Sequence, residues 1–349
     1  MTVPTDESRA AGSRADRATA KPGLPVRGGR TAVGLLERYG LLLLLIVLTL
    51  AFWLSPVSGP AFGTARNWAA LTANQSVTLV VALAVLIPLI AGFFDFSVGA
   101  VAAAASVTAA SAMSRYHLPL PVAVGLALVL GVLIGLSQGL LVAHVRMNPF
   151  IATLGTATLL GGVIFAYTDG LQITQGIAGE LTTLGSADWS GFPVIVLVVA
   201  VLAAAVWFFT ANTPTGRRLY AIGSNPAAAE LIGVNVRRVQ VGAFVGSGLL
   251  ASVAGVLLLA RQSAATSDNG MSMLFPALTA VLLSTIVVDV GRPSVLGTVI
   301  GVLFVAVSVS GLTLLGAPSW VGSVFNGAAL LIAVGVASLS RLLGRKGTA

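Results

Sequence analysis

Few residues in this chain could do chemistry. One acid, Asp95, stands between long apolar runs, in Gly92-Phe93-Phe94-Asp95-Phe96-Ser97-Val98-Gly99. If those runs cross a membrane, a carboxyl group between them can serve as a proton relay or a cation site. The same group just ahead of a helix can serve as an N-cap. A relay needs a second acid or a His at depth, and none accompanies Asp95, so we read it as a structural cap or gate with Phe93 and Phe94 beside it. A second cluster, Asn148-Pro149-Phe150-Ile151-Ala152-Thr153-Leu154-Gly155-Thr156, is dense in uncharged hydrogen-bonding groups. Asn148, Thr153 and Thr156 would suit a path for a polyhydroxylated solute, because they exchange with its hydroxyls without a charge penalty. Alternatively, the two Thr bond their own helix carbonyls and Asn148 caps. Gln138, Ser284, Thr285 and Asn326 are path candidates on the same logic.

The missing groups also bound the function. Lysines stand only at positions 21 and 346, so no Gly-x-x-x-x-Gly-Lys-Ser/Thr phosphate loop exists. The chain has no Gly-x-Ser-x-Gly elbow, no His-Glu-x-x-His helix, no clustered carboxylates and no Cys. We therefore expect no enzyme activity, no metal and no cofactor of its own.

The elements that must position these residues are membrane spans. Of 349 residues, 56% are hydrophobic and 9% charged, with mean hydropathy +0.98. No soluble domain of this length tolerates such a surface, so the expectation is an all-α polytopic membrane protein. At about 20 residues per span, the apolar runs predict ten helices near 37–54, 70–91, 96–113, 119–142, 150–167, 191–210, 240–260, 273–289, 294–315 and 320–340. Residues 1–34 read as a disordered tail, 35–341 as the ten-helix transmembrane domain with a polar loop at 211–239, and 342–349 as a second tail. The net charge of +8 does not imply nucleic acid, because the basic residues sit in tails and loops. Ten spans put every Lys and Arg except Arg66, Arg115 and Arg261 on one side, which the positive-inside rule makes the cytoplasm, with both termini there. An internal echo fits: Pro121, Gly125, Gly139 and Leu140 recur as Pro293, Gly297, Gly311 and Leu312 at a constant spacing of 172 residues. Five spans apart means opposite orientation, as in an inverted repeat.

Within the polar loop, Gly216 to Gly233 forms an island closed by Arg237 and Arg238. Asn225 as N-cap, Pro226 at the first position and Gly233 as a left-handed stop predict a short helix at 226–232. A free helix needs roughly 12–15 residues to be even marginal, so this one must lean on another surface, and a partner protein can supply it. On the other face, Arg261 and Arg66 are candidate contacts for a docking protein.

The segment Gly216-Arg217-Arg218-Leu219-Tyr220-Ala221-Ile222-Gly223-Ser224-Asn225-Pro226-Ala227-Ala228-Ala229, with Gly233-Val234-Asn235-Val236, closely resembles the coupling segment of the ribose-type ATP-binding-cassette permeases, membrane subunits of bacterial monosaccharide importers. Asn148 to Thr156, Asp95 to Gly99 and Gly291 to Gly301 resemble further elements of that family. The chain departs from it at Phe93-Phe94, where the family usually has Gly-Gly-Ile before the Asp, and at Ser284-Thr285-Ile286, where it has a Gly-Gly-Thr run. The resemblance implies the ABC importer permease fold and a bacterial plasma-membrane location. It also implies three partners: a cytoplasmic ATPase that binds the ATP, an extracytoplasmic sugar-binding protein and a second permease copy, homodimeric or heterodimeric. It assigns Arg217, Arg218, Asn225, Pro226, Ala227, Ala228, Glu230 and Gly233 to ATPase coupling. The cargo would be a monosaccharide or similar solute. An ion-gradient-driven secondary transporter is the alternative.

Overall fold

The computed structural model describes residues 30–266, 269–288 and 291–346. The chain divides into an N-terminal unit, residues 1–36, and a body, residues 37–349. In chain order, α1 (Arg30–Leu54) leads through the short α2 (Gly59–Phe62) to α3 (Ala65–Ile90), α4 (Val98–Ser114), α5 (Leu120–Ala143) and α6 (Pro149–Thr168). A short helix α7 (Gly179–Ser186) and a two-residue hairpin, β1 (Asp188–Trp189) with β2 (Phe192–Pro193), precede α8 (Val194–Asn212). Then come α9 (Pro214–Ser224), α10 (Pro226–Leu231) and α11 (Val236–Gln262). The last elements are α12 (Asn269–Leu283) with a 3-10 turn at Ser284–Ile286, α13 (Val295–Leu314) and α14 (Trp320–Lys346).

Among the described residues, six helices (α3, α5, α6, α8, α11 and α13) are long and apolar enough to cross a membrane. Shorter apolar helices lie at Tyr39–Leu54, Val98–Ser114, Ser272–Ile286 and Trp320–Gly335, in the remaining expected places. This is an all-α polytopic membrane fold. Two boundaries differ from expectation: α1 begins at Arg30 and α14 runs to Lys346, each inside a predicted tail. No Pro interrupts either stretch, so the backbone continues as helix beyond the apolar run. The rest of the predicted tails, residues 1–29 and 347–349, lies outside the described residues.

Helices α3 and α11 form the centre. In each, 78% of the span is buried, against 22% in α5 and α6, whose outer faces carry the exposed Leu126, Leu133, Leu159 and Val163 expected against lipid. The two run antiparallel: Asn74 near the start of α3 meets Arg261 at the end of α11, and Ile87 near the end of α3 lies beside Gly246. Between lipid-compatible helices the hydrophobic effect gives no drive, so close packing must. Small residues permit it here. A Cβ on Gly131 would stand 1.6 Å from Ser252 Oγ, and one on Gly135 would stand 2.3 Å from the Phe244 carbonyl oxygen. From the other helix, a Cβ on Gly248 would stand 2.2 Å from the Gly131 carbonyl oxygen. Helix α4, rich in Ala, is buried along almost its whole length for the same reason.

The inverted repeat extends beyond the four matched residues. Shifting α3 through α6 along the chain by 172 residues lays them on α11 through α14. The packing follows: α11 packs on α4 and α5, while α3 packs on α12 and α13, and α4 touches α5 and α6 as α12 touches α13 and α14. Because α3 and α11 are antiparallel, the two halves are inverted.

Gly135→Ala is expected to push α5 and α11 apart and cost about 1–3 kcal/mol, the usual range for overpacking. Gly155→Ala, where a Cβ meets nothing within 4 Å, should cost almost nothing. Thermal unfolding of the two variants in the same detergent checks this.

Candidate functional site

The basic end of the molecule, where α11 begins, carries Arg146, Arg217, Arg218, Arg237, Arg238 and Arg292, while Arg66, Arg115 and Arg261 mark the far end. At the basic end the chain makes three successive helices, each started by a side-chain cap. Thr213 accepts from Gly216 N at 3.2 Å to open α9, Asn225 from Ala228 N at 3.1 Å to open α10, and Asn235 from Arg238 N at 3.1 Å to open α11. Pro214 and Pro226 occupy first positions, where the missing N–H costs nothing. Gly233, at φ +85°, ends α10 in a Schellman motif, with Val234 N on the Ala229 carbonyl and Gly233 N on that of Glu230. The short helix ends at Leu231, one residue before its expected end, and Ile232 is the cap.

Helix α9 was not expected from the sequence, and it holds Gly216 and Gly223, a residue type that disfavours helix interiors. Both are packing sites. A Cβ on Gly216 would stand 2.1 Å from the Thr210 carbonyl oxygen, and one on Gly223 2.0 Å from that of Ile90. The Thr213-Pro214 pair, the same cap-and-proline signal as Asn225-Pro226, could have revealed it. Leu219 and Ile222 turn inward, and the Tyr220 hydroxyl donates to the Pro293 carbonyl at 3.0 Å. Arg217 and Arg218 stay exposed. On α10 only Ala229 is buried: Ala227, Ala228 and Glu230 face outward, and Leu231 and Ile232 are 89% and 76% exposed. A rigid, twice-capped turn thus presents a bare apolar tip in a loop that also carries arginines.

Beneath it lies the segment 91–97, where Asp95 departs from its expected role. Ser97, not Asp95, is the N-cap of α4, and Asp95 is 3% exposed. Burying a carboxyl group is costly unless its oxygens are paired. Oδ1 accepts from Ser97 N at 2.9 Å and Ser97 Oγ at 2.6 Å, and Oδ2 accepts from Ser247 Oγ of α11 at 2.7 Å. Gln138 of α5 donates through Nε2 to Ser97 Oγ at 2.7 Å. Thr153 of α6 accepts from Phe96 N at 3.2 Å. The sequence suggested neither Ser97 nor Ser247 as a partner; their small hydroxyls, 2 and 152 positions from Asp95, look like ordinary span residues.

This arrangement corrects the path assignment. Gln138 and Thr153, 1% and 0% exposed, lie in the interior bonded to this cluster rather than on an open path. Asn148 caps α6 through Phe150 N, and Thr153 and Thr156 donate to their own helix carbonyls, Pro149 and Ala152. Ser284, also buried, donates to the Val281 carbonyl. Thr285 lines a polar cavity of about 410 Å³ with Phe94, Tyr220, Gly223 and Arg292. Asn326 is half-buried, and its side-chain oxygen lacks a partner. Phe93 packs on Phe244 and Phe94 on Phe96, with centroids 6.4 and 6.0 Å apart. Arg261 is engaged within the chain rather than free to dock. Its Nε and Nη2 hold Asn74 Oδ1 at 3.2 and 3.0 Å, and Nη1 reaches the Gly185 carbonyl of α7 at 3.4 Å. Arg66 remains exposed at the start of α3. Among the described residues no group of three or more His, Cys, Asp or Glu could hold a metal ion.

Apolar spans in an inverted repeat, with a short capped helix at the basic end, define a membrane transport subunit. The family model described as "Branched-chain amino acid transport system / permease component" matches residues 67–334, and the chain belongs to that family. It is similar to the ribose import permease proteins of Haemophilus influenzae, 31% identical over 86% of this chain and 92% of that one, and of Bacillus subtilis, 33% identical over 86% and 92%. The autoinducer 2 import system permease protein of Escherichia coli strain SMS-3-5 is 32% identical over 73% of this chain and 78% of that one. No solved structure matches.

Asn225→Ala is expected to destabilise α10 by about 1 kcal/mol, the usual worth of an N-cap. Amide exchange at residues 227–231 should quicken roughly fivefold while that of α11 stays unchanged.

Proposed function

We propose that this chain is the membrane subunit of an importer for a monosaccharide or a similar small polyhydroxylated solute, driven by a separate ATPase that grips α10. One observation carries the reading: a six-residue helix, capped at both ends and seated by one buried residue, exposes Leu231 and Ile232 at its end, in a loop that also carries the exposed Arg217, Arg218, Arg237 and Arg238. Such a tip is a rigid knob awaiting a socket. The family and the names of its relatives, import permeases for ribose and autoinducer 2, support the class of cargo. The exclusion of Lys and Arg from the far end, apart from Arg66, Arg115 and Arg261, supports placing α10 in the cytoplasm, with both termini there, in a bacterial inner membrane.

In this mechanism a second permease copy completes the path, and a binding protein delivers the solute at the far end, where Arg66 is available. ATP binding in the partner moves α10 as a rigid body, and the inverted halves rock against each other. The permease supplies no chemistry to ATP; it converts displacement into access. A secondary transporter would need titratable relay groups, whereas the carboxyl oxygens of Asp95 are already held by Ser97 and Ser247.

Ala228→Arg and Glu230→Lys are expected to lower ATP-dependent uptake of labelled D-ribose at least tenfold while the protein remains membrane-inserted at normal levels. Both positions are exposed, so folding should be spared. Wild-type uptake in both variants would remove the coupling role.

A further inference from the structure

A lever is useful only if something stiff lies behind it. The last turn of α9 rests on the last turn of α3 backbone to backbone, since Gly223 leaves no room for a Cβ against the Ile90 carbonyl. Helix α10 continues from α9 through the bond from Asn225 N to the Ala221 carbonyl, 3.0 Å. Helix α3 ends in its own Schellman motif at Gly92, φ +87°, with Phe93 N on the Pro88 carbonyl and Gly92 N on that of Leu89. Displacement of α10 therefore reaches segment 91–97 through backbone contacts, which yield little. Three bonds leave that segment for separate helices: Asp95 Oδ2 takes the Ser247 hydroxyl of α11, Phe96 N gives to the Thr153 hydroxyl of α6, and Ser97 Oγ takes the Gln138 amide of α5. Ser97, held by Asp95 and by Gln138 of α5, fixes the angle between them. Buried polar bonds hold where apolar contacts slide, because breaking one strands an unpaired group in a dry interior.

We infer that the Asp95 cluster is a junction that divides the motion of the coupling helix into two outputs, one to α11 through Ser247 and one to α6 through Thr153. Asp95 is then a positioning residue. The inference rests on α10 being the ATPase contact. It explains why a carboxyl group is buried where a neutral cap would have served α4: one side chain presents two oxygens in fixed directions, one to its own loop and one to α11.

Coupling of this kind is established only by perturbing the elements separately. The chain has no Cys, so introduced labels are unique. Spin labels at Ser224→Cys at the α9–α10 junction, Leu159→Cys in α6 and Leu249→Cys in α11, all exposed positions, are each paired with a reference at Leu296→Cys in α13. Distances are measured in the permease assembled with its ATPase in nanodiscs, without nucleotide and with ATP plus orthovanadate. We expect nucleotide to shift all three labels. Thr153→Val should halve the shift at 159 or better and spare 249, Ser247→Ala should do the reverse, and Asp95→Asn should reduce both while the shift at 224 persists. If either single cut leaves all shifts at wild-type size, or if both cuts depress 159 and 249 equally as general loosening would, the junction is refuted. Should Asp95→Asn fail to assemble, the two single cuts decide alone. Absence of any shift at 224 in the otherwise wild-type chain would instead refute α10 as the ATPase contact, and the junction would fall with it.

Discussion

The close approach of α11 to its neighbours is the constraint on which the rest depends. In a bilayer, apolar surface is as comfortable against lipid as against protein, so a central helix stays central only if its backbone can be reached. Gly131, Gly135 and Gly139 on α5, with Gly248 and Gly255 on α11, allow contact at distances where a Cβ would collide. That contact brings Ser247 to the level of Asp95 and so makes a buried carboxyl group affordable. It also carries Arg261 to Asn74 at the opposite end. One packed seam thus sets two polar ties, one near each end of the central pair.

The inverted repeat gives this seam its logic. Helices α3 and α11 exchange roles, each packing on the two helices that follow the other. Corresponding helices pack alike in the two halves, while the loops differ. Among the described residues, only the second half is preceded by α9 and α10. An input element belonging to one repeat rests on a turn belonging to the other, as a device that moves two halves relative to each other requires.

Much of the site was legible in local order. Asn225-Pro226 and Gly233 announced the short helix, because caps and left-handed stops depend on a few adjacent residues. Helix α9 was missed, and the packing role of Gly216 and Gly223 inside it shows only once the carbonyls pressed against them are known. Gln138 and Thr153 read as pore groups because a hydroxyl or amide in an apolar span advertises polarity without naming its partner. Their partners lie 41 and 57 residues away.

Composition and hydropathy by themselves determined that the chain is a bundle of membrane helices, where most spans lie, and that the basic loop holds a capped helix, since burial of apolar runs and local capping are short-range physics. Which polar groups meet was decided only by the tertiary structure. A hydrogen bond between Asp95 and Ser247 exists because two helices approach at a particular depth and rotation, and that is set by the sum of packing along α5, α3 and α11 rather than by any residue near either partner.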